Sequence, residues 1–101
     1  MMALDILIGL PIKQITQIED YIQIGFDNGI ILNVFNSYSY DGGGLFNITN
    51  AEVVSVTELQ DYIEIKINDS GVLKVDLTDE AYQGPEALAL IREGEPPVIW
   101  N

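Results

Sequence analysis

ITQIEDYIQIGFDNGIILNV, from Ile15 to Val34, and VTELQDYIEIKINDSGVLKV, from Val56 to Val75, align without a gap at an offset of forty-one residues. Thr16 matches Thr57, Asp20-Tyr21-Ile22 matches Asp61-Tyr62-Ile63, Ile24 matches Ile65, Leu32 matches Leu73 and Val34 matches Val75. Each copy alternates with the period of a strand: Ile22, Ile24 and Phe26 fall on one face, and Tyr21, Gln23 and Gly25 on the other. Asp27-Asn28-Gly29 supplies residues that tolerate positive φ, and the apolar run IILNVF resumes behind it, which predicts a hairpin. The second copy repeats the pattern with Ile63, Ile65 and Ile67, the turn Asn68-Asp69-Ser70-Gly71, and a return through Leu73, Val75 and Leu77. A preceding strand, KQITQI in one copy and VVSVTEL in the other, makes each unit a three-stranded meander, over about residues 12–36 and 53–77.

Thr16-Gln17-Ile18-Glu19 and Thr57-Glu58-Leu59-Gln60 also match a helix capping box. The residues after each box are isoleucine-rich and of period two, so both boxes read as the turn into the Asp-Tyr-Ile strand. Between the units lies NSYSYDGGGLFNITN, whose Gly42, Gly43 and Gly44 predict a mobile loop or a bent hairpin tip. A phosphate cradle would need a downstream Gly-Lys-Ser/Thr, which is absent. After the second unit, Thr78 to Gln83 reads as one helical turn ended by Gly84-Pro85. EALALIR and VIW then read as a closing pair of strands around Glu95-Pro96-Pro97, with Trp100 favoured as a core plug over an exposed anchor. The expected fold is one all-β, mostly antiparallel domain over residues 1–101. It is a sandwich or partly open barrel of two duplicated meanders plus a C-terminal hairpin, with at most one short helical turn.

The chain has 101 residues, enough for one compact core. Sixteen acids against four cations give a formal charge of −12, which argues against direct nucleic-acid binding, since phosphates need basic neutralisation. Such a charge suits a basic partner, or a solvated and aggregation-resistant surface. Eleven of the acids lie between Glu52 and Asn101, so any negative face belongs mainly to the second half. There is no cysteine, hence no disulfide framework and no thiolate metal site, and the cytoplasm is the simplest location. MMALDILIGLPIK lacks a basic leader, carries Asp5 and stops at Pro11, so it reads as neither a signal peptide nor a membrane span.

With neither His nor Cys, the commonest general base and the strongest nucleophile are missing, and the triad mechanisms go with them. Paired carboxylates remain open to glycoside chemistry, but sixteen acids guarantee chance proximity, and no enzyme activity is expected. The turns at Asp27 and Asn68 lack the alternating ligands and the twelfth-position glutamate of a calcium loop, so neither metal nor cofactor is expected. Binding remains. Tyr21 and Tyr62, used identically in both copies, read as scaffold. The expected partner contacts fall in the unshared material: Tyr38, Tyr40 and Asp41 in the glycine segment, and Asp76, Asp79, Glu80, Tyr82 and Glu86 after the second unit. For Tyr38 and Tyr40, ordinary strand packing is an equal alternative.

The Asp-Tyr-Ile-x-Ile strands, the Leu-x-Val return, the run Asp79-Glu80-Ala81-Tyr82-Gln83-Gly84-Pro85-Glu86-Ala87 and the closing Val98-Ile99-Trp100-Asn101 resemble small cytosolic immunity proteins. These are encoded beside bacterial toxins, including those of contact-dependent growth inhibition systems. The resemblance covers roughly residues 12 to 101. It implies a protein that protects its own cell by binding a cognate toxin domain, often a ribonuclease or other nuclease with a basic surface. Such families share little binding-site sequence, so no contact residue carries over by motif. Two other readings stay open: an acidic DNA-mimic regulator, and a carbohydrate-binding β module that would display Trp100 and tyrosines as a flat platform.

Overall fold

The computed structural model describes residues 3–68 and 70–101. The nine strands are β1 (Ile12–Ile18), β2 (Tyr21–Phe26), β3 (Ile31–Val34), β4 (Tyr38–Gly42), β5 (Val53–Glu58), β6 (Tyr62–Ile67), β7 (Gly71–Asp76), β8 (Leu88–Ile91) and β9 (Val98–Trp100). They form two antiparallel sheets, ordered β1-β2-β3-β8-β9 and β4-β7-β6-β5. The two expected meanders and the C-terminal β8-β9 pair are all present. Among the described residues the only helical structure is short 3-10 turns.

The alternation read from the sequence is the burial pattern of the sheets. Ile22 and Ile63, Ile24 and Ile65, Leu32 and Leu73, and Val34 and Val75 are matched pairs, and every member is buried. Both first strands carry the same irregularity, a bulge at Lys13 in β1 and at Val54 in β5. The turn of the first hairpin holds Asn28 at φ 70° and Gly29 at φ 73°, the left-handed pair that suits the right-handed twist of its strands.

The duplication reaches further back than the alignment shows. Leu4 and Leu7 lie in a 3-10 turn, Ala3–Leu7, and at the same offset Leu45 and Ile48 are buried in and just after the turn Leu45–Asn47. A 3-10 turn eclipses residues three apart, so each turn drives two apolar side chains into the core. Gly9 and Asn50, again equivalent, are both left-handed, at φ 86° and 68°. The hydrogen bonds between the units are reciprocal. Gly9 N–H donates to Val53 O and Asn50 N–H to Ile12 O, each at 2.7 Å; Ile12 N–H donates to Ala51 O and Val53 N–H to Leu10 O. Pro11 and Glu52, equivalent to one another, meet in a bridge. The two units are therefore related by an approximate two-fold axis close to that bridge.

The strand after each unit crosses to the other unit's sheet. β4 succeeds β3 in the chain but pairs with β7, and β8 succeeds β7 but pairs with β3. Three residues make the first crossing, between Val34 and Tyr38, whereas the second runs through residues 77–87 and contains the expected helical turn, Asp79–Ala81. This corrects the reading of the glycine segment as a mobile loop. Tyr38 to Gly42 is a strand, and Gly42 pairs with Gly71. The approach is so close that a Cβ on Gly71 would stand 2.0 Å from the carbonyl oxygen of Asp41. Gly44, at φ 58°, starts the next 3-10 turn. β5 begins beside the segment that leads into β1, through the bonds of Val53 with Gly9 and Leu10, and ends where Glu58 accepts a hydrogen bond from Trp100 Nε1 on β9.

A cleft where the two copies differ

The two-fold relation puts two equivalent clefts on the molecule, and the residues lining them have diverged. In the first, Asp20 and Tyr21 open β2, and Phe35 lies just past β3. The Phe35 ring packs on Tyr21 with centroids 5.0 Å apart, and Gly84, Pro85 and Glu86 from the long crossing lie over them, leaving about 140 Å³. In the second cleft Asp61 and Tyr62 stand where Asp20 and Tyr21 do, but Asp76 occupies the place of Phe35. The short crossing supplies Ser37 and Tyr38 instead of a covering segment, and the cleft holds about 420 Å³, within the range of ligand pockets.

Asp76 is held by three residues. Its Oδ1 accepts from Thr78 N–H at 2.8 Å and from Thr78 Oγ1 at 2.7 Å, an Asx-type turn that starts the long crossing. Its backbone N–H donates to Ser37 O, and its backbone O accepts from Asn36 Nδ2 at 2.9 Å. Asn36 is buried, and this bond ties the short crossing to the start of the long one. The Thr78 side-chain bond, then the Thr78 backbone bond, and last the nearby Lys74 charge hold the Asp76 carboxyl below its ordinary 3.8, against a weaker opposing push from desolvation. Asp61 enters the same assembly through its backbone oxygen, which accepts from Leu77 N–H at 2.8 Å.

Lys74 stands directly across from Glu64 on β6, yet its ammonium lies over the Tyr62 ring, 4.1 Å from the centroid. The equivalent residue in the first copy is Asn33, whose Oδ1 accepts from Gln23 Nε2. At this pair of positions the second copy has exchanged a neutral amide pair for a charged one.

The eight residues singled out from the sequence divide among several places. Tyr38 and Asp76 are both among the residues lining the open cleft, and Asp79 and Glu80 lie on the turn just after Thr78, outside that lining. Tyr40 turns inward with Tyr38: their β7 partners, Leu73 and Val75, are core residues, and the Tyr40 hydroxyl is buried without a hydrogen-bond partner among the described residues. Asp41 lies exposed on the outer face of the same strand. Tyr82 packs against the core, and Glu86 belongs to the first cleft. Sequence reasoning passed over Asp61, Tyr62, Lys74 and Thr78. A comparison of the copies at their mismatched positions, Asn33 with Lys74 and Phe35 with Asp76, carries the signal. Trp100 is half-buried with its indole N–H bound to Glu58, so it is not a flat exposed platform.

No known family model matches this chain, and no curated protein or solved structure is significantly similar to it. No helix among the described residues is long and apolar enough to cross a membrane.

Proposed function

We propose that the chain is a non-catalytic immunity protein that binds and neutralises a cognate basic toxin domain, a ribonuclease or other nuclease, by covering its active site in the cytoplasm. One observation carries the reading: of two equivalent clefts, the second alone stands open, and it presents a carboxylate, Asp76, where the first is filled by the Phe35 ring. Divergence at one of two otherwise repeated sites is the trace an added binding role would leave. Tyr62 gives the cleft an aromatic wall of low entropic cost, and the carboxylates complement a surface built to hold phosphates. Asp76 itself is a poor candidate for a general acid. A general acid needs a raised pKa near the working pH, and Asp76 is shifted the other way.

The test is to express the toxin encoded beside this gene in a sensitive cell, with and without the chain. Protection, together with a complex that co-elutes from a sizing column, is the expected result. Unprotected cells and separately eluting proteins would remove the reading.

A further inference from the structure

Resting on the immunity reading, we infer that the occupant of the open cleft is an arginine side chain of the partner. Its guanidinium takes the place over the Tyr62 ring that Lys74 now holds, and pairs with the carboxylates of Asp76 and Asp61. The position of Lys74 points to this independently of the acids. Its ammonium has a carboxylate directly across the ladder on Glu64, yet it rests on the ring at 4.1 Å. The Tyr62 face is thus already a seat for a cation, occupied from within the chain.

The remaining walls suit a guanidinium better than an ammonium. Asp76 has one carboxylate oxygen tied to Thr78, so the carboxylate is fixed in direction while its second oxygen is not used by those bonds. A planar fork of N–H donors can reach that oxygen while its face stacks on the Tyr62 ring. In the first copy the arrangement is impossible. Phe35 replaces the carboxylate and packs on Tyr21, and Asn33 carries no charge to place there. Lys74 therefore acts as a placeholder. On binding it yields the ring and can turn toward Glu64 on the neighbouring strand.

The experiment titrates the full chain with a blocked Gly-Arg-Gly tripeptide and monitors the tyrosine ring resonances by NMR, with Gly-citrulline-Gly as the isosteric neutral control. The arginine peptide is expected to shift the Tyr62 ring saturably, and the citrulline peptide to do so at least tenfold more weakly. Lys74→Gln, which vacates the ring, should tighten binding by about two- to fivefold, the worth of an exposed cation–π contact. Asp76→Asn, close to isosteric, should weaken it at least fivefold. Saturable binding that leaves the Tyr62 ring unmoved, equal binding of both peptides, or weaker binding by Lys74→Gln would each overturn the inference. So would no binding of the arginine peptide to either wild type or Lys74→Gln. Protection against the toxin, measured separately, would then show the broader reading standing without this occupant, and its loss would show that the broader reading had failed on its own terms.

Discussion

Asp76 is the residue at which sequence and structure meet most closely. It holds the last position of β7, its equivalent in the first copy is an aromatic ring, and two bonds from Thr78 keep it ionised. Its folded-state pKa lies below its unfolded one, so the contribution to stability is complete above about pH 4, the unfolded value, and is lost as pH falls through the depressed folded value. Thr78→Val removes the hydroxyl bond but keeps the backbone one. A carbon-detected NMR titration should then show the Asp76 pKa moving up, part of the way back to 3.8. An unchanged pKa would mean that Lys74 or the backbone bond sets it. The glycines make a second residue-scale prediction. Gly71→Ala would thrust a Cβ against the Asp41 backbone and should cost at least 1–3 kcal/mol, roughly the penalty of overpacking, in a urea melt. Gly43→Ala meets nothing within 4 Å and should be neutral or stabilising by about 0.4–1 kcal/mol, because it restricts the unfolded chain. In the sequence Gly42, Gly43 and Gly44 look alike; only the β4-β7 register shows that the first is held against Gly71 and the second is free of neighbours.

At the scale of elements, period-two alternation identified β2, β6 and β7, because a half-buried strand must place every second side chain in the core, and the apolar run behind the Asp-Asn-Gly turn identified β3. β4 was not legible. Ser37 to Gly42 is polar and glycine-rich, with no apolar alternation, since its inward residues are tyrosines at the margin of the core. The strand exists because β7 offers it an unpaired edge, which is a tertiary cause. The N-terminal 3-10 turn was hidden for a related reason: Leu4 and Leu7 are too few to make a periodic signal. Both are fully buried nevertheless. Leu4→Ala should therefore destabilise by about 2–5 kcal/mol in chemical denaturation, as should Leu7→Ala. Ile6→Ala, on the exposed side of the same turn, should change stability by no more than about 0.5 kcal/mol. A small effect of Leu4→Ala would mean that the turn packs more loosely than its burial shows.

The whole molecule is two copies of a turn-plus-meander unit that have exchanged their fourth strands and kept their core while one outer cleft changed. That exchange was not readable from the repeat, because the crossings fall in the segments where the copies share nothing. The location of a difference between the copies was readable: Tyr38 and Asp76 are among the residues lining one cleft, whereas Glu86 lines the other and Tyr82 packs against the core. Lys74 was lost because a lone cation on a strand of a −12 chain looks like solvent-facing decoration. A charge of that size makes a kinetic prediction. Association with a basic partner should slow as salt is raised from about 0.05 to 0.5 M, since charges beyond a Debye length of about 10 Å near 0.1 M are screened, while dissociation changes much less. Stopped-flow association rates independent of salt would exclude long-range steering.

Whether the open cleft is the binding site is decided by the dissociation constant of the toxin complex, compared across the two equivalent clefts. Asp61→Asn with Asp76→Asn neutralises two carboxylates in the open cleft, and Asp20→Asn with Glu86→Gln neutralises two in the closed one. Both double variants change the net charge equally. The first pair should weaken the complex at least tenfold, about 1.4 kcal/mol, and the second by less than about threefold. Equal losses from the two pairs, or a larger loss from the closed cleft, would place the interface elsewhere and contradict a site built by divergence of the second copy.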